Sequence, residues 1–231
     1  MAPIRLSLRK NFLAIGKFQS WHILHDINRT QLSRLFMWGF CAFLSAGLLL
    51  IATKSSPLYP LNDWPDANTF FSIGKGMMNG LVPYRDLFEQ KGPLLYFFHG
   101  VASLISQRSF MGVYILEVLS FSVFLYFAQK SLSLFVPVQY SLFALPILAA
   151  SVLNLRSFAH GDTAESYVFP FMMFSLYTLL RHFKEHEPEP MPPKVQLLNG
   201  VMAGCVMWIK YAFLGFWFGW LLTVVAAQIG K

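Results

Sequence analysis

Apolar residues in this chain come in long runs separated by short polar stretches, and it is these runs that set the expected architecture. The first run, residues 35–53, is long enough to cross the ~30 Å hydrocarbon layer as a helix. Six more follow, over 92–105, 110–128, 138–153, 167–180, 195–209 and 211–227. Several fall short of the ~20 residues that a full span needs. Between the first and second runs lies a polar island, residues 60–96. Pro57, Pro60 and Pro65 break the first helix there, and helical spacing resumes over 68–79, where Phe70, Phe71, Ile73, Met77 and Met78 are apolar beside Lys75. The pattern predicts a helix lying flat at the membrane interface. The Pro-rich stretch 185–193 cannot continue a helix and reads as a short linker.

Composition narrows the class. The 231 residues are 55% hydrophobic and 17% aromatic, with a mean hydropathy of +0.50. A soluble domain needs a more polar surface, so the expected fold class is all-α: a polytopic transmembrane bundle with interfacial helices in its first external loop. The net charge of +7 does not point to nucleic acid, because the basic residues gather at the ends of apolar runs. Cys41 and Cys205 both lie inside apolar runs, where a thiol behaves as a small hydrophobe, and neither a disulfide framework nor a metal site is indicated.

Charge then sets the topology. Residues 1–34 carry Arg5, Arg9, Lys10, Lys17, Arg29 and Arg34 against Asp26, with Leu6, Phe12, Ile15, Trp21 and Leu24 interspersed. They read either as an amphipathic helix on the cytoplasmic leaflet or as a basic tail, and both versions place the N-terminus inside. No cleavable signal peptide is indicated, because the first apolar run comes too late. If all later runs cross, Lys130, Arg181, Lys184, Lys194 and Lys231 fall outside, while Arg108, Arg156 and Lys210 fall inside. If 92–105 only dips into the outer leaflet, every assignment reverses and the positive-inside tendency is satisfied. In that topology the 60–91 loop, the 156–165 turn and Lys210 share the outer side of a multi-pass cell-membrane protein.

The candidate chemistry sits on that side. Asp63 and Asp66 in NDWPDA are either turn formers and caps or carboxylates placed at headgroup level, where a base meets a lipid-linked substrate. Lys75, Arg85 and Lys91 either snorkel to headgroups or neutralise a departing phosphate. The turn AHGDTAESY brings His160, Asp162 and Glu165 to the start of a helix, where either Thr163 or Asp162 caps it or a second carboxylate binds an acceptor hydroxyl or a divalent cation. Glu117 lies inside an apolar run, so it is either functional or satisfied by Ser120 or Ser122. Lys210 pairs with it or reaches a substrate phosphate.

Asp66 four residues before Phe70, then Gly80, the block Pro83, Tyr84, Arg85 and Asp86, and the run from Lys91 through Gly92, Pro93, Leu94 and Leu95 to Tyr96 resemble the GT-C-type glycosyltransferases. Within that group they are similar to the bacterial relatives of the protein O-mannosyltransferases and to the lipid A aminoarabinose transferase. The later residues Asp162, Thr163, Ala164 and Glu165, and Lys210 closing a helix with Gly200 and Gly204, also sit where that family has polar residues. The resemblance covers most of the chain from Leu35 onward, and its most specific part is the block over 83–96. It divides the chain into a cytoplasmic segment (1–34) and a transmembrane module (35–231) whose first external loop (54–91) is catalytic. It implies a polyprenyl-phosphate-linked sugar as donor, an extracytoplasmic acceptor, and for Asp66 the role of general base or acceptor-positioning carboxylate, with Asp63 as the other candidate. Lys91, Arg85 and Lys210 are then expected to hold the donor phosphate. Glu165, Asp162 and His160 are expected to hold acceptor or cation. Ala67 stands where many relatives have an acidic residue, and such enzymes usually continue beyond the equivalent of Lys231. These two departures support a second reading, a non-catalytic or truncated partner subunit.

Overall fold

The computed structural model describes residues 32–158 and 160–229, so most of the basic segment expected over 1–34 lies outside the described residues. Backbone contacts divide the chain after Phe40. On the N-terminal side, residues 32–40 are the opening turns of helix α1 (Leu32–Ala52).

The described residues are all-helical, with no strand. After α1 come α2 (Pro65–Met78), α3 (Pro93–Ile105), α4 (Met111–Leu132), α5 (Val138–Leu153), α6 (Ala164–Glu185), α7 (Pro193–Lys210) and α8 (Gly215–Ile229). Three stretches are long and apolar enough to cross a membrane: α1, α4, and the continuous run Pro193–Ile229 that α7 and α8 form with the short 3-10 turn Tyr211–Leu214 between them. The helices α3 and α5 are apolar but shorter. Phe43, Phe143, Ile147 and Phe218 are each at least 65% exposed, an outward apolar belt that water would not tolerate over so wide an area.

Within lipid, apolar burial gains little on helix association, so close packing at small residues takes over. The α2–α3 pair meets at Gly74, where a Cβ would lie 2.4 Å from the Gly100 nitrogen. Around it α2 buries Ala67, Phe70, Phe71 and Ile73. This helix begins three residues before the expected 68–79. Pro65 acts not as a breaker but as a first-turn residue, where its missing N–H costs nothing and its fixed φ suits the helix. Asp66 therefore lies in the first turn of α2.

The helices α4 and α6 run in the same direction, with matched rungs at Ser120 and Ser166 (2.7 Å), Phe124 and Phe169 (6.2 Å between ring centres) and Phe127 and Phe174 (5.1 Å). The α5 helix carries the chain back between them. Helix α7 runs against α6, meeting it at Asn199 and Thr178 toward one end and at Lys210 and Glu165 toward the other. One end of the bundle thus gathers the exit of α1, the starts of α2, α3 and α6, and the end of α7.

Both ends of α3 belong to this end of the bundle. At its start the Gly92 N–H donates to the Ile209 carbonyl (3.0 Å). At its finish, Arg108 to Met111 share a cavity wall with Ser55 to Asn62, the segment that follows α1. At 13 residues, the helix is only about 20 Å long.

Candidate functional site

A cavity of about 180 Å³ opens at this end. Trp64 and Asp66 line it from the start of α2, Lys91 from the residue pair before α3, Arg156, Ser157 and His160 from the α5–α6 connection, Thr163, Ala164 and Glu165 from the start of α6, and Lys210 from the end of α7. Five sequence-predicted site residues, Asp66, Lys91, His160, Glu165 and Lys210, are thus brought together from four separate segments.

The local reasons are specific. Lys91 reaches the end of α7 because Gly92 packs directly on its backbone: a Cβ there would stand 1.9 Å from the Trp208 carbonyl oxygen. Glu89 fixes the same turn, accepting the Lys91 N–H at 2.7 Å and the Tyr96 hydroxyl, with the Lys91 ammonium 3.6 Å away. Burial pushes the Glu89 carboxyl up, but the bonds from Tyr96 and from the Lys91 and Gln90 amides, together with the Lys91 charge, outweigh it and hold the group below its ordinary value. A carboxylate with a lowered folded pKa contributes stability above its unfolded value and loses it as pH falls through the folded one. The turn is therefore expected to loosen only when pH drops well below 4.5. Hydrogen exchange of the Lys91 amide, taken relative to its intrinsic rate, should accelerate there in the wild type, whereas Glu89→Gln should exchange faster already at neutral pH and show no such onset.

The α5–α6 connection is held from below by a buried polar clasp. Gly161 has φ +70° and Asp162 φ +45°, both left-handed. A Cβ on Gly161 would lie 1.9 Å from the Thr53 hydroxyl, so only glycine fits. Glu117 accepts the Asp162 N–H at 2.6 Å with one oxygen and the Thr53 hydroxyl at 2.9 Å with the other. The Asp162 Oδ1 lies 2.8 Å from His99 Nε2 and accepts the Tyr167 hydroxyl at 2.7 Å. His99 Nδ1 meets the Leu95 carbonyl at 2.8 Å. All five side chains are buried. The left-handed turn directs Asp162 inward and leaves its neighbours on either side, His160 and Glu165, at the cavity wall.

Charge in the cavity is unevenly compensated. Lys210 pairs with Glu165 at 2.6 Å, and Lys91 is shared with Glu89. Asp66 and Arg156, by contrast, have no hydrogen-bond or ion-pair partner among the described residues. A free carboxylate and a free guanidinium thus share one small chamber. Trp64 stacks on His160 with ring centres 4.5 Å apart, and its Nε1 is buried without a partner among the described residues. Trp64 and Arg156 have no predicted role from sequence; a tryptophan between two aspartates, and an arginine within the turn that carries His160, were the available signals.

Three predicted site residues do not join them. Asp63 is ion-paired with Lys54, whose hydrogen bond holds its carboxyl below the usual range, and its exposed side chain does not line the cavity. Arg85 turns to Asp86 at 2.8 Å, and Asp86 in turn accepts the Val82 N–H, so this block forms a local turn rather than a phosphate clamp. Asp162 is wholly buried in the clasp. Glu117 is satisfied by Thr53 and the Asp162 amide rather than by Ser120 or Ser122, which donate to Ser166 and Val118 carbonyls, and Lys210 pairs with Glu165 instead of Glu117. For the expected cation, no group of three or more His, Cys, Asp or Glu converges among the described residues.

Comparison with models of protein families, with curated proteins and with solved structures found no match to this chain.

Proposed function

We propose that this chain is an integral-membrane glycosyltransferase of the GT-C type, or its N-terminal portion, which moves a sugar from a polyprenyl phosphate to an acceptor on the outer face. The observation that carries the reading is the meeting of Asp66, Lys91, Arg156, His160, Glu165 and Lys210 around one cavity at one end of an apolar bundle. That α3 begins and finishes at this end supports a topology in which it dips into the outer leaflet, the N-terminus is cytoplasmic and the cavity faces outward.

In this reading the acceptor hydroxyl gives its proton to Asp66 as its oxygen attacks the anomeric carbon. The bond from that carbon to the phosphate oxygen breaks, and the phosphate leaves with the electron pair. Arg156 offers a planar guanidinium that is paired with no carboxylate among the described residues, and Lys91 and Lys210 add charge that their own acids partly offset. A single displacement inverts the anomeric centre. The lipid tail has a place as well: a groove of about 400 Å³, lined by Phe98, Leu119, Phe127, Phe171 and Phe174, runs between α4 and α6. Its wall includes Tyr167, two residues past Glu165.

The test is direct. The purified chain in detergent, given labelled polyprenyl-phosphate sugars and membrane extract as acceptor source, should bind donor and transfer label with inversion. A chain that neither binds nor turns over any such donor is not this enzyme and reverts to a non-catalytic partner.

A further inference from the structure

A second cavity lies on the other side of the α2 start. It has about 400 Å³ and is walled by the segment after α1 and the α3–α4 turn, with Ser55, Tyr59, Asn62, Asn68, Arg108 and Ser109 among its polar groups. The first turn of α2 is the partition: Asp66 faces the first cavity and Asn68 the second, as residues two apart on a helix must.

The free hydrogen-bonding capacity of this chamber is mostly that of acceptors around one charged donor. Ser56 donates its hydroxyl to the Leu50 carbonyl at 2.6 Å and Tyr59 to that of Ile51 at 2.8 Å, so both present only lone pairs. Asn68 spends its amide N–H groups on the Asn62 and Trp64 carbonyls at 2.8 and 2.9 Å, which leaves its Oδ1 as an acceptor. Asn62 gives one amide N–H to the Ser55 hydroxyl at 3.3 Å and keeps the other, and Ser109 shares a hydrogen bond with Ser106 at 2.8 Å, so Arg108 is the charged donor of the chamber, with no partner among the described residues. No lining residue carries a carboxylate, and Asp63 nearby is held by Lys54. A complementary ligand is anionic at one point and rich in hydroxyl donors elsewhere. Inorganic phosphate carries hydroxyls only on the anion itself and does not reach the acceptors away from Arg108, and a neutral sugar leaves the guanidinium uncompensated.

We infer that this cavity binds a hydroxyl-bearing phosphate of glycerophosphate chemistry, on the far side of the α2 turn from Asp66. The binding stands on the geometry alone and does not depend on the transfer reading.

Calorimetric titration of the whole chain in detergent with glycerol 1-phosphate tests it, with glycerol and inorganic phosphate as controls. Glycerol 1-phosphate should bind more tightly than either, and Arg108→Gln should weaken it by about tenfold or more, with Arg108→Lys falling between. Equal binding to Arg108→Gln and wild type, or binding of glycerol as tight as that of its phosphate, overturns the site. Repeating the titration in nanodiscs identifies the source of the ligand. Weaker binding in phosphatidylglycerol than in phosphatidylcholine means that a lipid headgroup occupies the chamber, and unchanged binding means a soluble polyol phosphate. A chain that binds the probe but transfers sugar to nothing sinks the transfer reading and not the site.

Discussion

Replacing Asp66 with asparagine is expected to lower sugar transfer by about 10²- to 10⁴-fold, the usual contribution of a positioned general base. The side chain is exposed at the cavity wall and holds no hydrogen bond or ion pair among the described residues, so its lone pairs are free for a substrate proton. For the same reason its loss leaves no orphaned partner. The amide forfeits only a favourable charge at the start of α2, roughly 0.3–1 kcal/mol, and membrane insertion and thermal stability should hold near wild type. Asp63→Asn is the control, since it breaks an exposed pair with Lys54 outside the cavity and should transfer normally. Turnover of Asp66→Asn within tenfold of wild type, measured as labelled sugar released from the polyprenyl donor, would assign the base to another residue.

The second large effect falls on stability. Asp162→Ala should cost roughly 3–5 kcal/mol, because it removes the shared acceptor of two buried donors and leaves the His99 and Tyr167 side chains without it. It also forces a Cβ-bearing residue without side-chain support to keep a left-handed φ of +45°. Asparagine tolerates that backbone and keeps an oxygen at the same position, so Asp162→Asn should lose far less. Thermal unfolding in detergent, followed by tryptophan fluorescence, separates the two variants. If Asp162 instead met an acceptor or cation, Asp162→Asn would be stable and inactive. In the clasp it is stable and active.

The greasy runs and their polar ends made much of this architecture legible. Each run is a stretch of apolar residues with no other use in water, and of the charged residues that converge, Lys91, Glu165 and Lys210 sit where such a run starts or stops, while Asp66 and His160 lie in the polar stretches between them. A topology argument from Lys and Arg placement alone put them on one side. What stayed hidden was local geometry. Asp63 and Arg85 are drawn aside by Lys54 and Asp86, partners whose nearness depends on how a loop folds back. Asp162 points inward because two successive left-handed residues rotate it, and the partners that hold it there, His99 and Glu117, lie more than forty residues away. Pro65 signals a break in any linear reading and a beginning only when the chain after it has something to pack on.

The partition between the two chambers is a single turn of α2, anchored behind by Gly74 against Gly100. A wall that thin cannot be shifted for one occupant without being shifted for the other. Whatever fills either chamber therefore sets the floor plan of its neighbour, and two substrates arriving separately would be expected to report on each other's presence before any bond changes hands.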